Sequence, residues 1–306
     1  MKELDKRFRQ VVALGDLSLQ VPTGASYFLL GPNGSGKTTL VRLLAGVLRP
    51  THGDVRVLGE DPYRHPEHLA RRVGIAYEDH HLPGWASARD YLRFAARSRG
   101  FDGDIVDETA EAFELTTYWL REMGTYSAGM RKRVMLAQAW LGDPDLLLLD
   151  EPFSNLDPQG RWFLARQLRD RASTGRTTIV ATHLAETLAP PTHLGFLVNG
   201  TLEAAGPIGD LADRYAARSV PFAVPDPGEG VRILLKKGIA AVTALGDRIV
   251  VKGDSEAVGM ATAALQEAGI ATEPGEESCD IWAIYRSVLG GRAPEETGAS
   301  SIDRQE

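Results

Sequence analysis

The chain has 306 residues, 43% of them hydrophobic and 25% charged, with a net charge of −7; these values fit about two globular domains and exclude wholesale disorder. The acidic balance speaks against a protein that coats nucleic acid over a broad surface, and the single cysteine, Cys279, permits no intramolecular disulfide, as suits a reducing cytosol. No run of about 18 apolar residues occurs and no signal-like segment follows residues 1–7, so direct membrane insertion is not expected.

Residues 1–30 read as short strands at 10–14, 17–21 and 27–30, with Pro22-Thr23-Gly24 turning the chain before the last. Phe8 stands among Lys6, Arg7 and Arg9, an aromatic that either packs a strand layer or stacks on a base while the cations draw in phosphate. Residues 31–38 read Gly31-Pro32-Asn33-Gly34-Ser35-Gly36-Lys37-Thr38 and fit G-x-x-x-x-G-K-[ST], the phosphate-binding loop of nucleotide triphosphatases. The context agrees: an apolar strand precedes the loop, and Leu40, Leu43, Leu44 and Val47 follow at the spacing of one helix face. Glycines let backbone N–H groups face a phosphate, and the helix N-terminus adds positive dipole. Lys37 is placed to reach the β- and γ-phosphates, and the Thr38 hydroxyl to ligate Mg²⁺.

A strand is expected at 54–58 and another at 73–77, the second leading into Glu78-Asp79-His80-His81. Those paired histidines read as a polar loop rather than a metal site, because no Cys or distant His stands at ligand spacing. Residues 83–140 carry helical periodicity, with helices expected at 87–97 and 105–115, then a small-residue turn, Tyr126-Ser127-Ala128-Gly129-Met130, opening a helix at 131–141. Leu146-Leu147-Leu148-Leu149-Asp150-Glu151 has the continuous apolar run of a central parallel strand. Its carboxyl end is where open α/β sheets bind ligands. Two acids there are costly to bury unless a cation or water chemistry uses them: Asp150 to hold Mg²⁺, Glu151 to polarise a water. A helix is expected at 159–171 and a buried strand at 177–181 ending in Thr182-His183, with His183 a candidate γ-phosphate contact; Asn199-Gly200 then marks a hairpin.

In order, GPNGSGKTT (31–39), the loop at Glu78, YSAGMRKR (126–133), LLLLDEP (146–152), SNLD (154–157) and His183 resemble the motifs of the nucleotide-binding subunits of ATP-binding cassette (ABC) transporters, over residues 1–215. The resemblance implies an α/β P-loop NTPase cassette with a mixed sheet core, N-terminal antiparallel strands and a helical subdomain at about 83–140. It implies ATP and Mg²⁺ as cofactors. Phe8 matches an adenine-stacking aromatic, usually Tyr; Gly31, Pro32, Asn33, Gly34, Ser35, Gly36, Lys37, Thr38 and Thr39 match the nucleotide-binding loop. Thr38, Asp150 and Glu78 match metal positions, and Glu151, His183 and Glu78 catalytic ones. Ser127, Ala128, Gly129 and Met130 match the signature that acts on the other protomer's ATP, and Asp157 the loop coupling the two sites. The implied partners are an integral membrane permease and a second cassette, as a homodimer or paired cassette, at the inner face of the cell membrane; no nucleic acid is expected.

Two departures stand out. YSAGM replaces LSGGQ, so Ala128 adds a Cβ where backbone meets phosphate. Glu78 replaces the usual Gln, and its charge is expected to raise a neighbouring carboxyl pKa. Beyond the cassette, residues 216–230 read as a linker and 231–290 as a small α+β extension, with strands at 231–235 and 248–251 and helices at 255–268 and 280–289. The polar tail, 291–306, is expected to be disordered. The extension loosely resembles that of drug- and antibiotic-export ATPase subunits. The other reading left open is a soluble ABC-type ATPase acting on ribosomes or nucleic acid.

Overall fold

A computed structural model describes residues 1–78, 81–183, 191–245, 247–270, 274–275 and 277–290. The chain divides into two units, Met1–Leu211 and Ala212–Glu306. In chain order the first unit contains β1 (Lys2–Phe8), β2 (Val11–Leu17), β3 (Ser26–Leu30), α1 (Lys37–Leu44), β4 (His52–Asp54), α2 (Pro66–Ala70), β5 (Val73–Ala76), α3 (Ala88–Ser98), α4 (Asp104–Ala112), α5 (Ala128–Trp140), β6 (Leu146–Asp150), α6 (Pro158–Ser173), β7 (Thr177–Thr182), β8 (His193–Val198) and β9 (Thr201–Pro207). Helix α7 (Ile208–Arg214) follows.

The main sheet has the order β5-β6-β7-β3-β8-β9, parallel except for β9. Strands β3, β6 and β7 are buried at every position, which is what apolar runs covered on both faces produce. Burying each of Leu147, Leu148 and Leu149 contributes roughly 1.5–3 kcal/mol. Leu40, Val41, Leu43 and Leu44 of α1 join Leu29, Leu148 and Ile179 in the same core, so the helix that follows the phosphate loop is clamped to the sheet. Cross-strand pairs Leu30↔Thr182 and Asp150↔Ala181 level the carboxyl ends of β3, β7 and β6. The loops leaving those ends therefore meet at one edge of the sheet.

A second, antiparallel sheet has the order β2-β1-β4. Here two expectations shift. Residues 2–8 form a strand, and the alternation at Leu17, Leu19 and Val21 belongs to the end of β2 and a loop, because Leu19 reaches the core without joining a ladder. The strand expected at 54–58 is only His52–Asp54; Val55 and Val57 are buried from the loop after it. In the helical region α3 is capped by Ser87, whose Oγ accepts the Asp90 N–H at 3.1 Å, and α3 is tied to α5 by Tyr91 Oη donating to Gln138 Oε1 at 2.8 Å.

The second unit adds β10 (Arg218–Ala223), α8 (Pro227–Lys236), β11 (Val242–Leu245), β12 (Arg248–Gly253), α9 (Ser255–Glu267), β13 (Ser278–Cys279) and α10 (Ile281–Val288). Its antiparallel sheet has the order β11-β12-β10-β13. Phe222, Leu234, Ile249, Val251 and Leu265 form its core. The expected linker at 216–230 is therefore corrected: β10 and the start of α8 occupy it. Asp226 caps α8 by accepting the Gly228 and Glu229 N–H groups, and Pro227 opens the helix, where a missing N–H costs nothing. The expected strand at 231–235 is also corrected to helix, since Gly230 and Leu234 are buried one turn apart. The tail expectation at 291–306 lies outside the described residues.

Candidate functional site

The phosphate loop bridges β3 and α1 at that edge. Two of its glycines are sterically required. A Cβ on Gly31 would lie 2.2 Å from the Leu197 carbonyl oxygen, and Gly36, at φ +104°, would place one 2.5 Å from the Ala13 carbonyl oxygen. Gly34 also has positive φ, Asn33 is exposed, and Pro32 accepts the Ser35 N–H at 3.2 Å. Thr38 and Thr39 follow on the first turn of α1, half-buried. The Ser35 hydroxyl is buried without a partner among the described residues.

Lys37, 5% exposed, folds back so that Nζ donates to the carbonyls of Gly31 at 2.8 Å and Pro32 at 3.0 Å. Its ammonium also lies 3.8 Å from Glu151 Oε1. Burial lowers the Lys37 pKa, and the charges of Glu151, Asp150 and Glu78 push back against that.

Asp150 ends β6 at 1% exposure, and neither carboxylate oxygen has a hydrogen-bond partner among the described residues. Burial raises its pKa; the nearby Thr38 hydroxyl tempers the rise, without the geometry of a full hydrogen bond, and the charges of Glu151 and Glu78 add to it. The expected influence of Glu78 on a neighbouring carboxyl is thus present at Asp150, behind the larger effect of burial. A buried acid with no donor is costly unless a cation meets it. Thr38, Asp150 and Glu78 offer an all-oxygen donor set of the kind a hard cation takes, so the residues present fit Mg²⁺.

Glu151, 4% exposed, turns off the strand at φ +45°. Its carboxylate is held from two sides: Thr182 Oγ1 donates to Oε2 at 2.9 Å and the His183 N–H to Oε1 at 2.9 Å. The His183 ring follows, Nδ1 lying 3.0 Å from Oε1. The structure therefore brings Lys37, Asp150, Glu151 and His183 together, with Glu78 exposed after β5. Asp79 and His80, beside it, lie outside the described residues.

Ser127 and Ala128 are exposed at the start of α5, where Ser127 Oγ caps the helix by accepting the Met130 N–H at 3.2 Å. A Cβ on Gly129 would meet nothing within the chain closer than 3.7 Å. No contact within this unit thus demands glycine there, in contrast to Gly31 and Gly36. Asp157 caps α6, Oδ1 accepting the Gly160 N–H at 2.7 Å. Phe8 is 44% exposed, with Lys6 Nζ 4.9 Å from its ring centroid; it is not packed into the strand layer.

One residue escaped sequence reasoning. Lys132 lies on α5 at 3% exposure, and its Nζ donates to the Glu151 carbonyl at 2.8 Å, with Ser154 Oγ at 3.4 Å. Its only sequence signal is its place in YSAGMRKR, a run that reads as charged helix surface.

A family model described as ABC transporter matches residues 14–154. The Nod factor export ATP-binding protein I of Burkholderia lata is 34% identical over 60% of this chain and 62% of its own length, so the chain spans about three-fifths of that relative. A daunorubicin resistance ATP-binding protein of Streptomyces coeruleorubidus is 30% identical over 88% of each chain. A solved ATP-binding subunit of an ABC transporter superposes with a TM-score of 0.63 at 25% identity, covering 69% of this chain and 90% of that one.

Proposed function

The chain belongs to the ATP-binding proteins of the ABC transporter family, and we propose that it hydrolyses ATP to drive export through a separate membrane permease. The observation that carries the chemistry is the unpartnered Asp150 carboxylate beside a Glu151 whose own carboxylate is fixed by Thr182 and His183. Gly31 to Thr39 would cradle the triphosphate, Lys37 exchanging its two carbonyl partners for phosphate oxygens. Phe8 would stack on adenine. Thr38, Asp150 and Glu78 would hold Mg²⁺, which when bound neutralises charge on the phosphates. Glu151 would take the proton of the attacking water, with Thr182 and the His183 N–H keeping its oxygens aimed. His183 would meet the γ-phosphate.

Two such chains, or this one and a paired cassette, would close head to tail so that Ser127, Ala128, Gly129 and Met130 of each meet the other's nucleotide, with Asp157 at the junction. Gly129 supports that reading, since no close contact within its own chain requires a glycine there, a Cβ meeting only the Asn155 carbonyl at 3.7 Å and Ser127 Oγ at 4.0 Å. Among the described residues no helix is long and apolar enough to cross a membrane, which accords with work done on a permease at the inner membrane face. Export is favoured because the relatives are an exporter subunit and a drug-resistance protein by description.

The test is turnover and assembly together. The purified chain should hydrolyse ATP with Mg²⁺; Glu151→Gln should lose about 10²–10³ in rate yet bind ATP and elute as a dimer. Wild-type turnover in Glu151→Gln refutes the base assignment. A tagged chain should also co-purify with one polytopic membrane protein; recovery with ribosomes or nucleic acid instead refutes the transport reading.

A further inference from the structure

Glu151 needs more than a well-held carboxylate. It leaves β6 with positive φ, a conformation that non-glycine residues adopt at a cost and keep only when their surroundings enforce it. That turn presents its backbone carbonyl to three donors: Lys132 Nζ at 2.8 Å, Ser154 Oγ at 2.7 Å and the Ser154 N–H at 3.3 Å. The peptide N–H is tied on the other side to the Ala181 carbonyl at 2.8 Å. Lys132 reaches this point from α5, the helix whose N-cap is Ser127. The exposed Ser127 and Ala128 at the start of α5 and the backbone of the proposed base are therefore joined through a single helix and one buried ammonium.

We propose that Lys132 is a positioning residue for ATP hydrolysis: by gripping the Glu151 carbonyl it holds the left-handed turn that aims the Glu151 carboxylate. The inference rests on the ATPase reading above. Lys132 bonds the Glu151 carbonyl and lies beside Ser154 Oγ, so its effect on turnover runs through the Glu151 backbone. Its charge is sited among Glu78, Glu151 and Asp150, whose fields support it against burial. Removing one buried charge from among its partners is itself destabilising, so the discriminating readout is the split between kcat and KM together with rescue by arginine, not stability alone.

The experiment compares wild type, Lys132→Met and Lys132→Arg, in the full chain, by ATP titration, steady-state kinetics and thermal melting. In Lys132→Met the KM for ATP should stay within about twofold while kcat falls about 10- to 100-fold, the scale of loss from misplacing a reacting group. It should remain folded at the assay temperature, and Lys132→Arg should recover most of kcat. Wild-type kcat in Lys132→Met, or a loss of kcat matched by lower melting temperature and not recovered by arginine, overturns the proposal. Should Lys132→Met not fold, Lys132→Gln keeps a shorter polar side chain at the same place; a kcat lowered several-fold at constant KM supports the grip, and an unchanged kcat overturns it. Turnover absent from the wild type itself would overturn the ATPase reading and this inference with it, whereas turnover present and indifferent to Lys132 overturns the inference alone.

Discussion

Asp150→Asn should separate what the site costs the fold from what it does for the ligand. In the free protein the Asp150 carboxylate is buried, lacks a hydrogen-bond partner among the described residues and shares its surroundings with Glu151 and Glu78. Its pKa is raised, so the folded chain holds this proton more tightly than the unfolded chain does. The group therefore contributes most to stability below its ordinary value of 3.8, and that contribution is lost as pH rises toward the raised folded value. At neutral pH the charge opposes folding, by about 1.4 kcal/mol for each tenfold gain in the affinity of the folded chain for this proton. Asparagine keeps the shape and removes the charge, at a penalty of about 1–3 kcal/mol for a buried amide left unpaired. Without nucleotide, Asp150→Asn should melt at or above the wild-type temperature at pH 7, and the advantage should vanish below about pH 4. With Mg²⁺ and ATP at about 100 times Kd, binding should stabilise wild type by about 2.7 kcal/mol, or roughly 5–11 °C for a unit of this size. The variant should lose the Mg²⁺-dependent part of that gain. Differential scanning fluorimetry across pH, with ATP and with ATP plus Mg²⁺, makes both readings. A ligand-free melting temperature that drops by several degrees, or an undiminished Mg²⁺-dependent gain, refutes the reasoning.

Phe8→Ala should weaken ATP by about 1–3 kcal/mol, the scale of one base–aromatic contact, while binding of tripolyphosphate stays unchanged; equal losses for both in calorimetry would mean that Phe8 does not meet the base. Glu78→Gln removes one of the charges that raise the Asp150 pKa, so the pH profile of turnover and its Mg²⁺ dependence should both move; a variant unchanged in rate, metal dependence and pH profile refutes a role for this carboxylate. Lys37→Ala should abolish nucleotide binding measured by equilibrium dialysis, because the ammonium that bonds the loop carbonyls is gone; retained affinity would count against the phosphate reading.

What is legible in the sequence is what depends on neighbours in the chain. The phosphate loop is nine contiguous residues whose pattern is read without a partner, even though the carbonyls that require Gly31 and Gly36, those of Leu197 and Ala13, lie far off in the chain; and β6 is a buried run whose meaning lies in its own composition. The linker expectation fails for a local cause as well. Proline and glycine between 221 and 230 look like punctuation, yet Asp226-Pro227 is also the start of a helix, and only the burial of Gly230 and Leu234 decides between the two. Lys132 has no such route. Its role depends on a carbonyl 19 residues away that faces it only because Glu151 turns left-handed at the end of β6. Charged residues on a helix read as solvent-facing by default, since a buried ammonium needs partners that periodicity cannot supply. The same reasoning separates Asp150 from Asp157. Both stand out in the sequence, but one caps a helix and has its bond satisfied within the chain, whereas the other is buried with no described residue to meet it. A buried carboxylate without a donor is relieved either by holding its proton, as the raised pKa of Asp150 allows, or by a cation, and with Thr38 and Glu78 offering further oxygens this makes Asp150, more than any motif letter, the physical argument for a cation at the carboxyl ends of these strands.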